Sequence, residues 1–100
     1  MSDLVREFAG PVIEWRGPAP FFFVRLPDDV ADEIEDRKGE LTYGWGCIPV
    51  RARIGGTEFA TSLFPAEDTY LLPVKAAVRK AEGCELGAEV EGELHLSFRG

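Results

Sequence analysis

The chain has 100 residues, of which 45% are hydrophobic and 29% are charged, and its formal net charge at pH 7 is −7. This length and composition indicate a single globular domain over residues 1–100 and exclude a disordered chain. No apolar run approaches the roughly 18 residues of a membrane span. Membrane association is therefore not expected, and neither is nucleic-acid binding, which usually needs a strongly basic surface.

The first quarter of the chain predicts two strands. Val5–Trp15 has a β-like composition with an interruption at Gly10–Pro11, and Arg16–Pro20 is predicted to be a loop. Phe21–Leu26 is rich in aromatic and β-branched residues, which predicts the second strand. Its three phenylalanines cannot all face inward, so we expect Phe22 either to be exposed or to be covered by a helix.

A first helix is predicted over Pro27–Gly39. Pro27 suits the first helical turn, the two following aspartates suit the positive end of the helix dipole, and Gly39 is a stop signal. The residues that can face a core are Val30, Ala31 and Ile34. We therefore expect a short helix whose acidic side chains are solvated and do not bind a metal.

The middle of the chain predicts a β-hairpin. Apolar and polar residues alternate over residues 48–54, which is typical of a half-buried strand. The predicted inward residues are Ile48, Val50, Ala52 and Ile54, and the outward ones are Pro49, Arg51 and Arg53. Gly55–Gly56 predicts the turn, Thr57–Phe64 the returning strand and Tyr70–Leu72 a further short strand.

A second helix and a last strand complete the predicted elements. In "YLLPVKAAVRKAEG", residues 70–83, apolar residues recur at helical spacing and Gly83 ends the pattern. The predicted core stripe consists of Val74, Ala77, Val78 and Ala81. In the last strand, Val90, Leu94, Leu96 and Phe98 are predicted to face inward, and Glu89, Glu91, Glu93 and His95 outward. Short strands with two short helices indicate a mainly antiparallel β-barrel or an α+β domain.

Three sequence blocks resemble a known family. "FFFVRLPDDVADEI", "GWGCIPVRARIGGTEFATSLFP" and "YLLPVKAAVRKAEGCELGAEVEGEL" occur in this order. Together they resemble the bacterial and archaeal family called domain of unknown function 1905, over about residues 8–96. The chain departs from the family pattern at Phe59, where relatives often carry Trp, and at Cys84, where Leu is usual. Both departures are expected to be adjustments of the core.

The resemblance implies a mainly β, single-domain double-split β-barrel of short antiparallel strands with two short capping α-helices. AbrB- and MazE-type transcription factors share this fold and build it from two swapped chains, whereas one chain of this family can form the whole barrel. The family has no established activity, so the resemblance implies a fold and not a function.

The residues that catalysis, a metal or a cofactor would need are scarce. His95 is the only histidine and is expected on an outward face, and no G-x-S-x-G motif surrounds Ser62. Cys47 and Cys84 lack C-x-x-C spacing, so free buried thiols are favoured over a disulfide or a zinc site. We therefore expect no enzymatic activity, no metal and no cofactor. The start "MSDLVREF" lacks a signal-peptide pattern, which favours a cytoplasmic location.

The positive charges are concentrated in the middle of the chain. Residues 41–81 carry 5 basic and 3 acidic side chains, whereas residues 1–40 carry 5 and 10 and residues 82–100 carry 1 and 5. The residues predicted to bind an anion are Lys75, Arg79, Arg51 and Arg53. This segment is therefore the predicted site, with the start of the second helix at its centre.

Lys75 is the least expected of these cations. Arg79 and Lys80 suit the C-terminal end of the second helix, but Lys75 is predicted in its first turn. A cation there is disfavoured by the helix dipole by about 0.3–1 kcal/mol. Either a carboxylate from the preceding loop, Glu67 or Asp68, or an anion bound at the helix start would offset this effect.

Two functions remain open from the sequence. The first is a small non-enzymatic binding module that uses the basic residues to hold an unidentified small anionic ligand or a protein partner with an acidic surface. The second is a DNA-binding regulator, by analogy with AbrB-type proteins, although the net charge of −7 disfavours it. We expect a monomer or a weak dimer.

Overall fold

In the computed structural model, residues 3–15, 21–41, 48–66 and 68–97 are described. The elements in chain order are β1 (Asp3–Trp15), β2 (Phe21–Arg25), α1 (Asp28–Leu41), β3 (Ile48–Ile54), β4 (Thr57–Pro65), β5 (Tyr70–Pro73), α2 (Ala76–Glu82) and β6 (Glu89–Ser97). The described strands pair in antiparallel fashion and close into a barrel in the order β1-β2-β5-β4-β3-β6. The predicted mainly β barrel with two helices is confirmed. Its relation to AbrB- and MazE-type barrels stays a prediction.

The β3–β4 hairpin has the predicted alternation and turn. Along β3, buried and exposed residues alternate without a break, because one face of the strand lines the barrel interior. Gly55 has a φ of 59°, in the left-handed region that favours glycine. A Cβ on Gly55 would also lie 2.0 Å from Oε1 of Glu82. Glu82 is held near the turn because the hydroxyl of Thr57 donates a hydrogen bond to Oε2 of Glu82 over 2.5 Å.

β1 is one continuous strand of 13 residues, so the predicted interruption at Gly10–Pro11 is wrong. Its residues up to Pro11 lie opposite β6, and those from Val12 onward lie opposite β2. Gly10 therefore marks the point where β1 passes from one neighbour to the other. A Cβ on Gly10 would lie 2.0 Å from the carbonyl oxygen of Arg25, so glycine here reflects the close approach of two backbones.

α1 packs its few apolar residues on the barrel, as predicted. Val30, Ala31 and Ile34 are buried in the core cluster. The helix begins at Asp28, and the carbonyl oxygen of Pro27 accepts the backbone N–H of Ala31, so Pro27 lies immediately before the first turn. The predicted stop at Gly39 is wrong, because α1 continues to Leu41. Glycine lowers helix stability by only about 1 kcal/mol relative to alanine and need not end a helix.

Polar contacts fasten α1 to two strands. The guanidinium of Arg6 on β1 donates to both carboxylate oxygens of Glu33. The hydroxyl of Tyr70 on β5 donates to Oε2 of Glu35 over 2.6 Å. Burial, together with this carboxylate, raises the pKa of Tyr70. The mostly solvated helix is thus held at separate points along its length.

The barrel interior is one apolar cluster that includes residues from every described strand. Its largest fully buried side chains are Leu26, Ile34, Ile48, Leu63, Leu72, Leu94, Leu96, Val12 and Val24. On β6 the predicted inward positions Val90, Leu94 and Leu96 are buried, whereas Phe98 lies outside the described residues. Phe59 and Cys84, the two departures from the family pattern, belong to the same cluster, as expected.

α2 is shorter than predicted, and its phase is different. Val74 lies before the helix, where its backbone N–H donates to the carbonyl oxygen of Phe22 over 2.9 Å. Val74 and Val78 are buried, but Ala77 and Ala81 are exposed, so the predicted core stripe is wrong at both alanines. The reason is that Val74 is fixed by its contact with β2, and the helical period begins only after it.

Within the described part of the chain, neither helix has the length and hydrophobicity needed to cross a membrane.

Candidate functional site

Two surface grooves contain predicted site residues or their neighbours. The first, called the acidic groove, has a volume of about 760 Å³. Its lining residues are Glu7, Phe8, Ala9, Pro27, Asp29, Arg53, Gly55, Glu91, Gly92 and Glu93. The second, called the α2 groove, has a volume of about 550 Å³. Its lining residues are Phe22, Ala76, Arg79, Lys80, Cys84, Glu85 and Leu86. Of the four predicted residues, Arg53 lines the first groove and Arg79 the second, so the four do not share one groove.

The predicted cations of β3 lie on a surface of mixed charge. Arg53 is opposite Glu58 on β4 and opposite Glu93 on β6, and its Nη2 is 3.3 Å from Oε1 of Glu93. Arg51 is opposite His95, whose Nε2 also contacts Oε1 of Glu93 at 2.8 Å. Because carboxylates flank Arg53 on both sides, this part of the barrel offers little net positive charge to a ligand.

Lys75 lies at the N-cap position of α2 and not inside its first turn. Its backbone is extended, with φ −65° and ψ 154°, and its exposed side chain makes no capping hydrogen bond. Asp68, one of the two carboxylates expected to offset Lys75, instead pairs with Arg25 at 2.9 Å. That hydrogen bond lowers the pKa of Asp68 below its ordinary value. The other expected carboxylate, Glu67, lies outside the described residues.

Arg79 is held by a carbonyl group and an aromatic ring. Its Nε donates to the carbonyl oxygen of Val74 over 3.3 Å, and its Cζ lies 3.8 Å from the centroid of the Phe22 ring. Phe22 is half-buried and packs against the core cluster. The prediction that Phe22 is either exposed or covered by a helix is confirmed in its second form. A cation–π contact of this kind contributes about 0.5–1 kcal/mol at an exposed site and more when water is excluded.

The environment of Arg79 differs from that of other arginines in the barrel. Several arginines are bonded to carboxylates in the pairs Arg6–Glu33, Arg25–Asp68 and Arg53–Glu93. Among the residues that the structure describes, no carboxylate lies within ion-pair distance of Arg79. Its guanidinium is therefore oriented by neutral groups, and its charge is not neutralised by a described side chain beside it.

The turn after α2 supplies the apolar wall of the groove. Gly83 adopts φ 64° and ends the helix, as predicted. The backbone N–H of Cys84 then donates to the carbonyl oxygen of Arg79 over 3.0 Å, which closes the turn at the end of the helix. Cys84 is a buried free thiol, as predicted, and burial raises its pKa. Leu86, which follows it, is 59% exposed.

The sequence pattern predicted Arg79 but not its neighbours. Phe22 lies far from Arg79 in the sequence, in the strand before α1, and the barrel topology brings it to the groove, whereas Leu86 lies in the turn directly after α2. The sequence did indicate Phe22, because three consecutive phenylalanines in a strand cannot all face the core, and the middle one must be either exposed or covered by another element. Leu86 carried a weaker signal, an apolar residue placed in a turn before Gly87.

The fold and the groove together define a small closed antiparallel β-barrel with two attached helices and a basic, apolar groove beside the second one. Over residues 8–94 the chain matches the family described as Domain of unknown function (DUF1905), and it belongs to that family. The resemblance expected over residues 8–96 is thereby confirmed. A comparison with curated proteins finds no match.

Proposed function

We propose that this protein is a non-enzymatic binding module whose α2 groove holds a small anion or an acidic group of a protein partner. The observation that carries the proposal is the state of Arg79, which is fixed over Phe22 and has no carboxylate of the described residues within ion-pair distance. The chain has 18 acidic side chains. Because no acidic side chain of the described residues is paired with Arg79, its guanidinium is suited to pair with a ligand.

The geometry of Arg79 favours recognition of an oxyanion. The Phe22 ring covers one face of the guanidinium, and the Val74 carbonyl oxygen accepts the hydrogen bond of Nε–H. The terminal nitrogens retain N–H groups in the fork arrangement that matches a carboxylate or phosphate. Because the side chain is already ordered, less rotamer entropy is lost when a ligand binds.

Lys80 adds a second positive charge to the same groove. Lys75 is exposed one residue before α2. In the proposal, Arg79 makes the direct contact, whereas Lys75, Arg51 and Arg53 act only through the longer-range potential, which salt screens within about 10 Å at 0.1 M ionic strength.

NMR titration tests the proposal. The ¹⁵N-labelled protein, at low ionic strength, is titrated to millimolar concentrations with inorganic phosphate and separately with acetate. We expect saturable shifts in the Nε–Hε signal of Arg79 and in the amides of residues 76–86. Arg79→Gln is expected to abolish these shifts, whereas the matched variant Arg51→Gln, at an exposed strand position outside the groove, keeps them.

Two results would contradict the proposal. One is the lack of any saturable shift in residues 76–86 with either anion at millimolar concentration. The other is an equal loss of binding in Arg51→Gln and Arg79→Gln, which would indicate a diffuse effect of charge and not a site at the groove.

The DNA-binding alternative has less support. It would require a cationic surface that follows the phosphate backbone, but Glu58 and Glu93 flank Arg53 on β3. Fluorescence polarisation with a labelled duplex at low salt tests it. Binding that weakens steeply with added salt and is reduced in Arg51→Gln would favour this alternative over the anion site.

A further inference from the structure

We infer that the ligand of the α2 groove is an amphiphilic monoanion, a carboxylate joined to an apolar body, and not a phosphate or a polyanion. This inference rests on the proposed function, because it assigns a ligand class to the same groove. It depends on two further observations, namely the apolar wall of the groove and the balance of charges along its lining.

The apolar wall is built from a residue of β2 and from the turn after α2. The Phe22 ring lies beneath Arg79, and Cys84 contributes a buried thiol that its raised pKa keeps neutral at physiological pH. Leu86, which lines the same groove, is 59% exposed. A ligand with an apolar body would remove this surface from water, at about 25 cal/mol per Å² of apolar area. Inorganic phosphate would gain nothing from it.

The net charge of the residues that line the groove is suited to a ligand with one negative charge. Its lining carries Arg79, Lys80 and Glu85, which gives a net charge of one positive unit. A single carboxylate balances this charge, whereas each further negative charge would meet Glu85 and the field of a chain with net charge −7. A phosphate dianion or a polyphosphate is therefore disfavoured relative to a monoanion.

The contacts of Arg79 also set the direction of the ligand. Phe22 occupies one face of the guanidinium, so a carboxylate approaches the nitrogen edge in the plane of the group. Leu86 lines the same groove as this edge. The carboxylate is placed at Arg79 and Lys80, and the apolar body lies along Leu86 and Cys84.

The experiment compares octanoate, acetate, inorganic phosphate and 1-octanol as probes, with octanoate kept below its micelle-forming concentration. Shifts are followed in the methyl groups of Leu86 and in Nε–Hε of Arg79. We expect octanoate to saturate these signals at a concentration at least about tenfold lower than acetate or phosphate, since one decade in affinity corresponds to about 1.4 kcal/mol. Octanol is expected to bind more weakly than octanoate, because it lacks the charge.

A matched pair of variants separates the apolar contact from the charge contact. Leu86→Ser is expected to weaken octanoate binding about fivefold or more, as fits the loss of part of a leucine contact, and to leave acetate binding unchanged. Val5→Ser is the control, because Val5 is another exposed apolar residue, 41% exposed, on β1 outside the groove. It is expected to leave octanoate binding unchanged.

The outcomes distinguish this inference from the proposed function. If acetate or phosphate saturates the groove at the same concentration as octanoate, or if Leu86→Ser binds octanoate as the wild type does, the amphiphilic ligand class is wrong while the anion site stands. If octanol binds as tightly as octanoate, the monoanion assignment is wrong. If no anionic probe shifts the groove signals, both the inference and the proposed function fail.

Discussion

Replacing Gly10 by alanine is expected to lower the free energy of unfolding by about 3 kcal/mol or more. The added Cβ would lie 2.0 Å from the carbonyl oxygen of Arg25 and 3.2 Å from its carbonyl carbon. The oxygen must retreat by about 1 Å to reach the shortest distance that such contacts tolerate, near 3.0 Å. It cannot retreat alone, because Arg25 is paired with Leu71 on β5 and the preceding Val24 is fully buried.

The matched control is Gly56→Ala. No heavy atom of the described residues lies within 4 Å of the position that a Cβ on Gly56 would occupy, and Gly56 does not have a positive φ. Both substitutions reduce the conformational entropy of the unfolded chain similarly, so their difference isolates the contact at Gly10. Gly56→Ala is expected to stay within about 0.5 kcal/mol of the wild type.

Urea unfolding, monitored by tryptophan fluorescence and by circular dichroism, measures the free energy of unfolding of both variants. For a domain of this size, a loss of about 3 kcal/mol corresponds to a decrease in Tm of roughly 12–24 °C. A Gly10→Ala chain that fails to fold while Gly56→Ala folds normally supports the same reasoning. A difference below about 1 kcal/mol between the two variants would refute it, since the strands would then separate with little resistance.

The remaining predictions concern polar contacts of the barrel. Thr57→Val removes the hydrogen bond to Glu82 and is expected to lower the free energy of unfolding by about 1–2 kcal/mol in urea; an unchanged midpoint would contradict this. Because the pKa of Tyr70 is raised in the folded state, Tyr70 contributes to the free energy of unfolding. This contribution is fully present below the ordinary pKa of 10.0 and is lost as the pH rises above that value. Stability should therefore fall less steeply above that pH in Tyr70→Phe, and equal slopes would argue against it. The hydrogen bond from Arg6 lowers the pKa of Glu33 below 4.5, so its contribution is lost as pH falls through the lowered value. In Arg6→Gln the ¹³C carboxyl midpoint of Glu33 should rise toward 4.5 with little change in stability, because the pair is exposed.

Periodicity predicted those elements in which one face is buried along the whole length. β3 shows this most clearly, because a shift of one residue would bury Arg51 and Arg53 in place of Val50 and Ala52. The predicted course of an element was wrong where a tertiary contact, and not the local sequence pattern, determines the structure. Gly10 suggested a break in β1, but its lack of a side chain serves a backbone crossing that no local pattern reveals.

The candidate site could be predicted only in part. The sequence analysis identified the basic residues of the second helix as candidates for binding an anion, and Arg79 is one of them. Its orientation depends on the Phe22 ring and on the Val74 carbonyl group, and both of these depend on how β2 pairs with β5. Lys75 was predicted in the first turn of the second helix, but the helix begins one residue later, at Ala76. The start of α2 is set by the contact of Val74 with Phe22 on β2 as much as by helix propensity.

The pairing of β1 with β6 has a consequence for how the barrel assembles. Asp3 lies opposite Ser97, so residues 3–11 of β1 find their partner strand only when β6 has been synthesised. Until then, the apolar side of β1 lacks this neighbour, and closure must wait for a contact between distant parts of the chain, which slows folding. Opposite residues in such a pair have Cα atoms about 4.5–5.5 Å apart. A circular permutant that joins β6 to β1 by a short linker and opens the chain at Gly55–Gly56 would turn this distant pair into a local hairpin, but it would make β3 and β4 the distant pair instead, so closure would still wait for the first and last strands.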